Sequence, residues 1–389
     1  MRYLAAFDKF KDCMGAAEAC EAARAGLLAV QPSAVVETAP LTDGGEGFST
    51  VLTNALGGRI EKVEVTGPLG ERRTASVGFA SMESLPAAAL SALSLAPTSG
   101  ELAIVEMAEA SGLWCVPEAL RDPWKTTSRG TGEMLAYAAD RGARAILLGI
   151  GGSATCDLGL GALEALGLDC VSSEGLMQGI VPELWNAVEG FRGSPRRLPP
   201  LFVACDVENP LLGPNGAAAV FGPQKGLKAG DVPRMDAAME RVARRLLAHA
   251  GLAEDRLCVR SGGAAGGLGW SLGVILGAPF LSGFDLVWQL LDMEEKVERA
   301  EVVLTGEGRF DMSSLSGKGP GAIACRAAAK GRRAAVFAGV VDEAVSRYVA
   351  SQGLRLELCA ITPEGMEKNA ALREGSQLLS RRIESFFRG

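Results

Sequence analysis

The chain has 389 residues, 48% of them hydrophobic and 22% charged, with a net charge of −7 and a pI near 5.2. That composition excludes an intrinsically disordered chain, and the lack of a basic stripe argues against nucleic acid as a partner. No run of about 18 uncharged apolar residues occurs, so no membrane span is expected, and the length favours two domains over one core. The nine cysteines lie scattered from Cys13 to Cys359 without a C-x-x-C pair, and His249 is the only histidine. This pattern argues for reduced thiols in a cytoplasmic protein, and against a disulfide framework, a zinc site or a His-dependent triad. The opening MRYLAAFDKFKDCMG carries charges where a signal peptide would be apolar.

In chain order, Arg2 to Phe7 reads as a strand and Ala16 to Val30 as an Ala/Leu-rich helix ended by Pro32. Val35 to Thr38 is a second strand, leading through Asp43-Gly44-Gly45-Glu46-Gly47 into a helix-like run that reaches Leu56. This β-α-β-α order is the signature of a parallel sheet covered by helices. Val63 to Gly78 and Leu102 to Met107 are expected strands, Gly130 to Arg141 a helix and Ala145 to Leu148 a strand. A Gly-rich loop spans Gly149 to Asp157, and a helix is expected from Leu158 to Leu166. Leu201 to Ala204 is a strand that ends at Cys205-Asp206, and Val232 to Ala250 and Phe284 to Glu298 are expected helices. Val302 to Leu304 and Ala334 to Phe337 are late strands, with a helix from Ala322 to Lys330 between them. The cleanest βαβ units lie at the two ends of the chain. We therefore expect a discontinuous Rossmann-like α/β domain from residues 1–62 and 285–389. A second α/β domain, 63–284, is inserted into it, with a cleft between the two.

Several strand ends and glycine turns carry acids: Asp43 and Glu46, Asp157, Asp206, and Glu307 with Asp311. Bases stand in similar settings: Lys9 and Lys11, Lys225 in GPQKG, Arg309, and Lys318 in SGKGPG. Ligands of open α/β sheets sit beyond the carboxyl ends of the strands. Acids that hold Mg²⁺, together with bases and glycine amides that neutralise phosphate, are the parts phosphoryl transfer requires. With almost no histidine, a carboxylate is the natural general base. Each loop also has a plainer reading. GIGGSAT and DGGEG can simply cap helices, Asp206 can be a turn residue, Gly262 to Gly269 can allow close packing, and isolated lysines usually face solvent.

No Walker A sequence and no protein-kinase signature is present. GIGGSA, with Asp169 twenty residues past Gly149, loosely imitates a dinucleotide fingerprint, so a nicotinamide-dependent oxidoreductase is one alternative. Against it, Leu163 to Leu168 reads as helix where that fingerprint needs a strand.

Taken in order, the motifs resemble the type I glycerate kinase family, the bacterial D-glycerate kinases. The resemblance rests on FDKFKDCMGA near the start, TDGGEG from Thr42 to Gly47 and GTGEML from Gly130 to Leu135. It continues through GIGGSATCDLGLGALEALG from Gly149, ACDVENPLLGPNGAAAVFGPQKG from Ala204, GGAAGGLG from Gly262, and TGEGRFD with its following GK. It implies an ATP- and Mg²⁺-dependent kinase acting on a small molecule, D-glycerate first, at the 2-hydroxyl, in the cleft between two α/β domains. We further expect Asp206, Asp311, Arg309 and Lys318 as the catalytic set, and Asp8, Lys11, Asp43 and Glu46 as substrate contacts. Nucleotide or phosphate would meet Gly151, Gly152, Ser153, Thr155, Lys225 and Glu307. Metal would meet Asp157, Asp206 and Asp311, and which acid is the base stays open. Neither nucleic acid nor membrane is an implied partner; a homodimer is admitted. The chain departs from the family pattern at Lys9, Cys13 and Gly15, where serines are usual, at Phe48, at Cys156 to Gly159 and at Ser313-Ser314. These departures admit a related small hydroxy acid as acceptor, and a non-catalytic regulator that binds such an acid as a second alternative.

Overall fold

The structure is a computed structural model and describes residues 1–315, 317 and 319–388. The chain forms two compact units, Met1–Thr42 with Val287–Gly389, and Asp43–Leu286. The sequence-based edge at 62/63 thus stands twenty residues from the observed division at 42/43, and the edge at 284/285 stands two from the division at 286/287. The first difference has a local cause. The helix Phe48–Ala55 packs on the sheet of the second unit, where Ser49 Oγ donates to the Ile104 carbonyl at 2.7 Å.

The first unit holds a five-stranded parallel sheet in the order Leu356–Ala360, Arg333–Ala338, Val302–Gly306, Arg2–Phe7, Val35–Thr38. Numbered along this unit's own strands, the order is 2-1-3-4-5. It is doubly wound, with its switch point between Arg2–Phe7 and Val302–Gly306. Strands covered on both faces read as continuous apolar runs, and Val302–Gly306 is buried along its whole length. The helix Ala16–Val30 lies against Lys368–Arg388. A Cβ on Gly26 would stand 2.2 Å from the Ser380 carbonyl oxygen, so glycine sets how closely these helices approach. The helix expected over 284–298 is two helices, Gly283–Leu290 and Met293–Arg299, broken where Asp292 takes a left-handed φ of 51°.

The second unit is built on a six-stranded mixed sheet in the order Phe280–Leu281, Leu201–Ala204, Ala145–Gly149, Glu101–Glu106, Arg72–Ser81, Arg59–Thr66. The first four strands are parallel and the last two antiparallel. The single strand expected from Val63 to Gly78 is therefore a hairpin, turned at Gly67 and Gly70, with the Gly67 amide donating to the Glu71 carbonyl at 2.7 Å. A separate antiparallel sheet joins Asp169–Ser172 to Gly175–Met177 and Gly190–Arg192. Asp169 begins that strand and pairs with Arg192 at 3.1 Å. A dinucleotide site needs its acid at the end of a parallel strand, so this arrangement removes the main support for a nicotinamide enzyme. The helix Val232–Ala250 buries Met235, Met239, Val242, Leu246 and Leu247 at helical spacing and stops at Gly251, whose φ is 66°. Among the described residues, no helix is long and apolar enough to cross a membrane.

Candidate active site

In the second unit, Ala145–Gly149, Leu201–Ala204 and Phe280–Leu281 run parallel and end on one side. Beyond their carboxyl ends lies a cavity of about 170 Å³, lined among others by Asp43, Gly45, Gly152, Ser153, Asp206 and Lys225. The Asp43–Gly47 turn is wedged among these strand ends. Gly44 has a φ of 96°, and a Cβ there would stand 2.9 Å from the Ala204 carbonyl oxygen. Its own carbonyl accepts the Gly151 amide at 2.9 Å, tying the two glycine loops together.

Lys225 is the centre of the site. It is 1% exposed, yet its ammonium donates to Ser153 Oγ at 2.6 Å and to the Thr155 carbonyl at 2.7 Å. An ammonium has three donors, and the third meets no protein acceptor among the described residues. Burial pushes the Lys225 pKa down, opposed by Cys156 and Asp157. The amides of Gly152 and Ser153 likewise make no protein hydrogen bond among the described residues. A buried cation, a hydroxyl and two open amides at one cavity wall form a place for an anion.

Two expectations for this loop change. The Gly151 amide is taken by Gly44, so it is not available to a ligand. Asp157 does not face the cavity as a metal ligand would. It is fully buried, and its carboxylate accepts the Ser128 amide and hydroxyl, both at 2.7 Å, the Gly159 amide at 3.2 Å and the Gly161 amide at 3.3 Å. Burial pushes its pKa up and these four donors oppose that; with donors on every side we take it as a carboxylate. It occupies the N-terminus of the short helix Leu160–Ala165, so that helix end is not an anion site for the loop. Thr155 acts through its carbonyl, and its buried hydroxyl has no partner among the described residues.

Asp206 faces the same cavity. Its oxygens accept Ser282 Oγ at 3.0 Å and the Phe284 amide at 3.1 Å, which fixes the carboxylate at the start of Gly283–Leu290. Asp43 accepts the Gly45 amide at 3.1 Å in a tight turn and stays exposed. Glu46 is exposed too, but it is not part of the cavity lining.

The first unit gathers the remaining candidates at its switch point. Asp8 and Glu307 follow the adjacent strands Arg2–Phe7 and Val302–Gly306, and the Asp8 amide donates to the Gly306 carbonyl at 3.0 Å. Lys11 is exposed nearby. Arg309 pairs with Asp342 at 3.3 Å and Asp311 at 3.8 Å. Asp311 accepts the Ser313 hydroxyl at 2.5 Å and its amide at 2.8 Å, and these bonds hold its pKa below the usual carboxylate range, with help from Arg309. Lys318 lies outside the described residues.

Sequence reasoning missed Gln224, Phe221 and Ser282, and it left Gly262 to Gly269 undecided. That glycine run is packing. A Cβ on Gly266, whose φ is 68°, would stand 1.9 Å from the Thr155 carbonyl oxygen, so the run supports the loop that Lys225 holds. Gly266→Ala must therefore strain both backbone and loop. A cost of roughly 2–3 kcal/mol is expected, read as a fall of about 5–10 °C in Tm by calorimetry, with loss of activity alongside.

These features define the class: an α/β protein with a cavity suited to a small anion at the carboxyl ends of its parallel strands. Comparison with known proteins agrees and goes further. Residues 3–389 match the model of the glycerate kinase family. The chain is 42% identical over 324 residues to the glycerate kinase of Bacillus subtilis (strain 168), covering 82% of this chain and 80% of that one. It is 38% identical over 324 residues to the glycerate 2-kinase of Escherichia coli (strain K12), with the same coverage. A crystal structure from Salmonella typhimurium LT2, described as a glycerate kinase 2, superposes with a TM-score of 0.77 at 34% identity, over 99% of this chain and 97% of that one. The chain belongs to the glycerate kinase family.

Proposed function

We propose that the chain transfers the γ-phosphoryl group of ATP, carried with Mg²⁺, to the 2-hydroxyl of D-glycerate. The observation that supports this most is the buried Lys225–Ser153 pair facing Asp206 across one small cavity. At about 170 Å³ the cavity is smaller than the 300–1,000 Å³ typical of drug-sized ligand sites, which suits a three-carbon acid better than a nucleotide. In this reading Lys225, Ser153 and the Gly152 amide hold the glycerate carboxylate, a change from their expected contact with nucleotide phosphate. Asp206, held by Ser282 and Phe284, accepts the proton of the attacking hydroxyl as the new O–P bond forms and ADP departs. The E. coli relative's description as a glycerate 2-kinase supports the 2-hydroxyl as acceptor.

Among the described residues, no three of His, Cys, Asp and Glu converge as a ligand set. Mg²⁺ commonly takes one or two carboxylates and leaves its other positions to water and phosphate. Asp43 on the cavity wall fits that sparse donor set, with Asp206 kept for the proton. When bound, the ion neutralises charge on the nucleotide phosphates. Arg309, Lys11 and Lys318 are the proposed phosphate-neutralising bases, with Asp311 as a further carboxylate.

ADP release measured across a panel of small hydroxy acids tests the reading. The highest kcat/KM is expected on D-glycerate, and no release with any acid would overturn it. Asp311→Asn is expected to lower turnover by about 100-fold or more with the fold intact. Near-normal rates would remove Asp311 from the reaction.

A further inference from the structure

The Asp43–Gly47 turn brings Asp43 and Gly45 to the cavity, yet Asp43 is exposed and three of the turn's five residues are glycine. Something must hold it still. Glu106, the last residue of Glu101–Glu106, is 2% exposed in the interior of this unit. Its two carboxylate oxygens accept two separate backbone amides, Gly47 at 3.1 Å and Ser49 at 3.2 Å. These amides flank the entry to the helix Phe48–Ala55, where they have no intrahelical partner of their own. One buried carboxylate thus fixes both the end of the turn and the start of the helix behind it.

We propose that Glu106 is a positioning residue for the reaction, clamping the Asp43–Gly47 turn so that Asp43 and Gly45 stay in register with Gly151 and the Lys225 loop. This rests on the reading of the cavity as the glycerate site. The route is continuous. Glu106 holds Gly47, the turn carries Gly44, and the Gly44 carbonyl accepts the Gly151 amide at 2.9 Å, one residue from Gly152 of the anion wall. Misplacing such a wall by about 1 Å can cost about 100-fold in rate.

The clamp works through acceptor oxygens, and this gives it a readout that a merely structural residue would lack. Burial pushes the Glu106 carboxyl up to about 7; the two amides lower it, and Glu109 on Met107–Ser111 and Glu46 on the turn raise it. As pH falls through that value the group gains a proton, an acceptor oxygen becomes a hydroxyl, and the clamp weakens. A glutamine resembles that protonated form at every pH, because its NH₂ faces an N–H donor.

The experiment compares wild type, Glu106→Gln and Glu106→Asp. Steady-state kinetics on glycerate are run from pH 6 to 8.5, with hydrogen exchange of the segment 43–56 and thermal melts measured in parallel. Glu106→Gln is expected to lower kcat/KM by about 10- to 100-fold, mostly through KM for glycerate, and to lose the wild-type rise near pH 7. Faster exchange in 43–56 should accompany this. Glu106→Asp, which keeps the charge, should recover part of the activity. Wild-type-like kinetics and exchange in Glu106→Gln would overturn the proposal while leaving the cavity reading intact. If wild type itself failed to phosphorylate glycerate, that reading would fall, and unchanged exchange would then overturn the clamp.

Discussion

Lys225→Met is expected to lower kcat/KM for glycerate by about 100- to 1,000-fold, the usual loss when a preorganised donor to negative charge is removed. Methionine keeps an unbranched apolar stem, one heavy atom shorter, but supplies no N–H. Ser153 Oγ and the Thr155 carbonyl lose their shared donor, while the burden of a buried ammonium disappears. These effects oppose each other, so Tm should move by only a few degrees and the kinetic loss will not be a folding artefact. The pH dependence is a second check. Burial pushes Lys225 below the ordinary lysine range, so the ammonium is lost at a lower pH than on a surface lysine. KM for glycerate should therefore rise on the alkaline limb of the wild-type profile. Activity within threefold of wild type in Lys225→Met would show that the lysine only holds the loop.

The second large effect is expected from Asp206→Asn. Loss of a general base typically costs about 100- to 10,000-fold in kcat. Stability should be nearly unchanged, because an asparagine oxygen can still accept the Phe284 amide at the start of Gly283–Leu290. Separate measurements of kcat and Tm distinguish this from Gly266→Ala, where both fall together. A variant with normal kcat and lowered Tm would reduce Asp206 to a helix cap.

Much of the scaffold was legible in the residues. Arg2–Phe7, Ala16–Val30, Val35–Thr38, Leu201–Ala204 and Val232–Ala250 match their sequence-based bounds to the residue. Each is a periodic or apolar run bordered by a helix or turn breaker. The misses have equally local causes. The 63–78 run hides a hairpin because its turn, Gly67-Pro68-Leu69-Gly70, is short and sits between strand-like segments. The break at Asp292 has no glycine or proline to mark it. The sequence-based elements omit the helices Glu343–Ser351 and Lys368–Arg388, although Asp342 caps the first by accepting the Ala344 amide at 2.9 Å, a residue type that signals a helix start.

The site was less legible because its important contacts are long in sequence. Lys225 looked like a weak candidate, since isolated lysines usually face solvent. Its buried ammonium is met by Ser153, 72 residues away. Asp157 looked like a metal ligand because it borders a Gly-rich loop. The donors that enclose it include Ser128, 29 residues earlier. Glu106 ends an apolar strand with no motif around it, and only the return of Gly47 and Ser49 across the fold gives it a task. A glycine-bordered acid in sequence can thus be a cavity wall, as Asp43 is, or a buried loop fastener, as Asp157 is. Burial and donor count separate the two.

³¹P NMR of purified protein with ATP, Mg²⁺ and D-glycerate reads the transfer itself. The proposed transfer to the 2-hydroxyl predicts ADP together with one phosphomonoester, 2-phosphoglycerate, whose rate of formation falls by about 100-fold or more in Asp206→Asn. A 3-phosphoglycerate product, or no phosphoester at all, would contradict it.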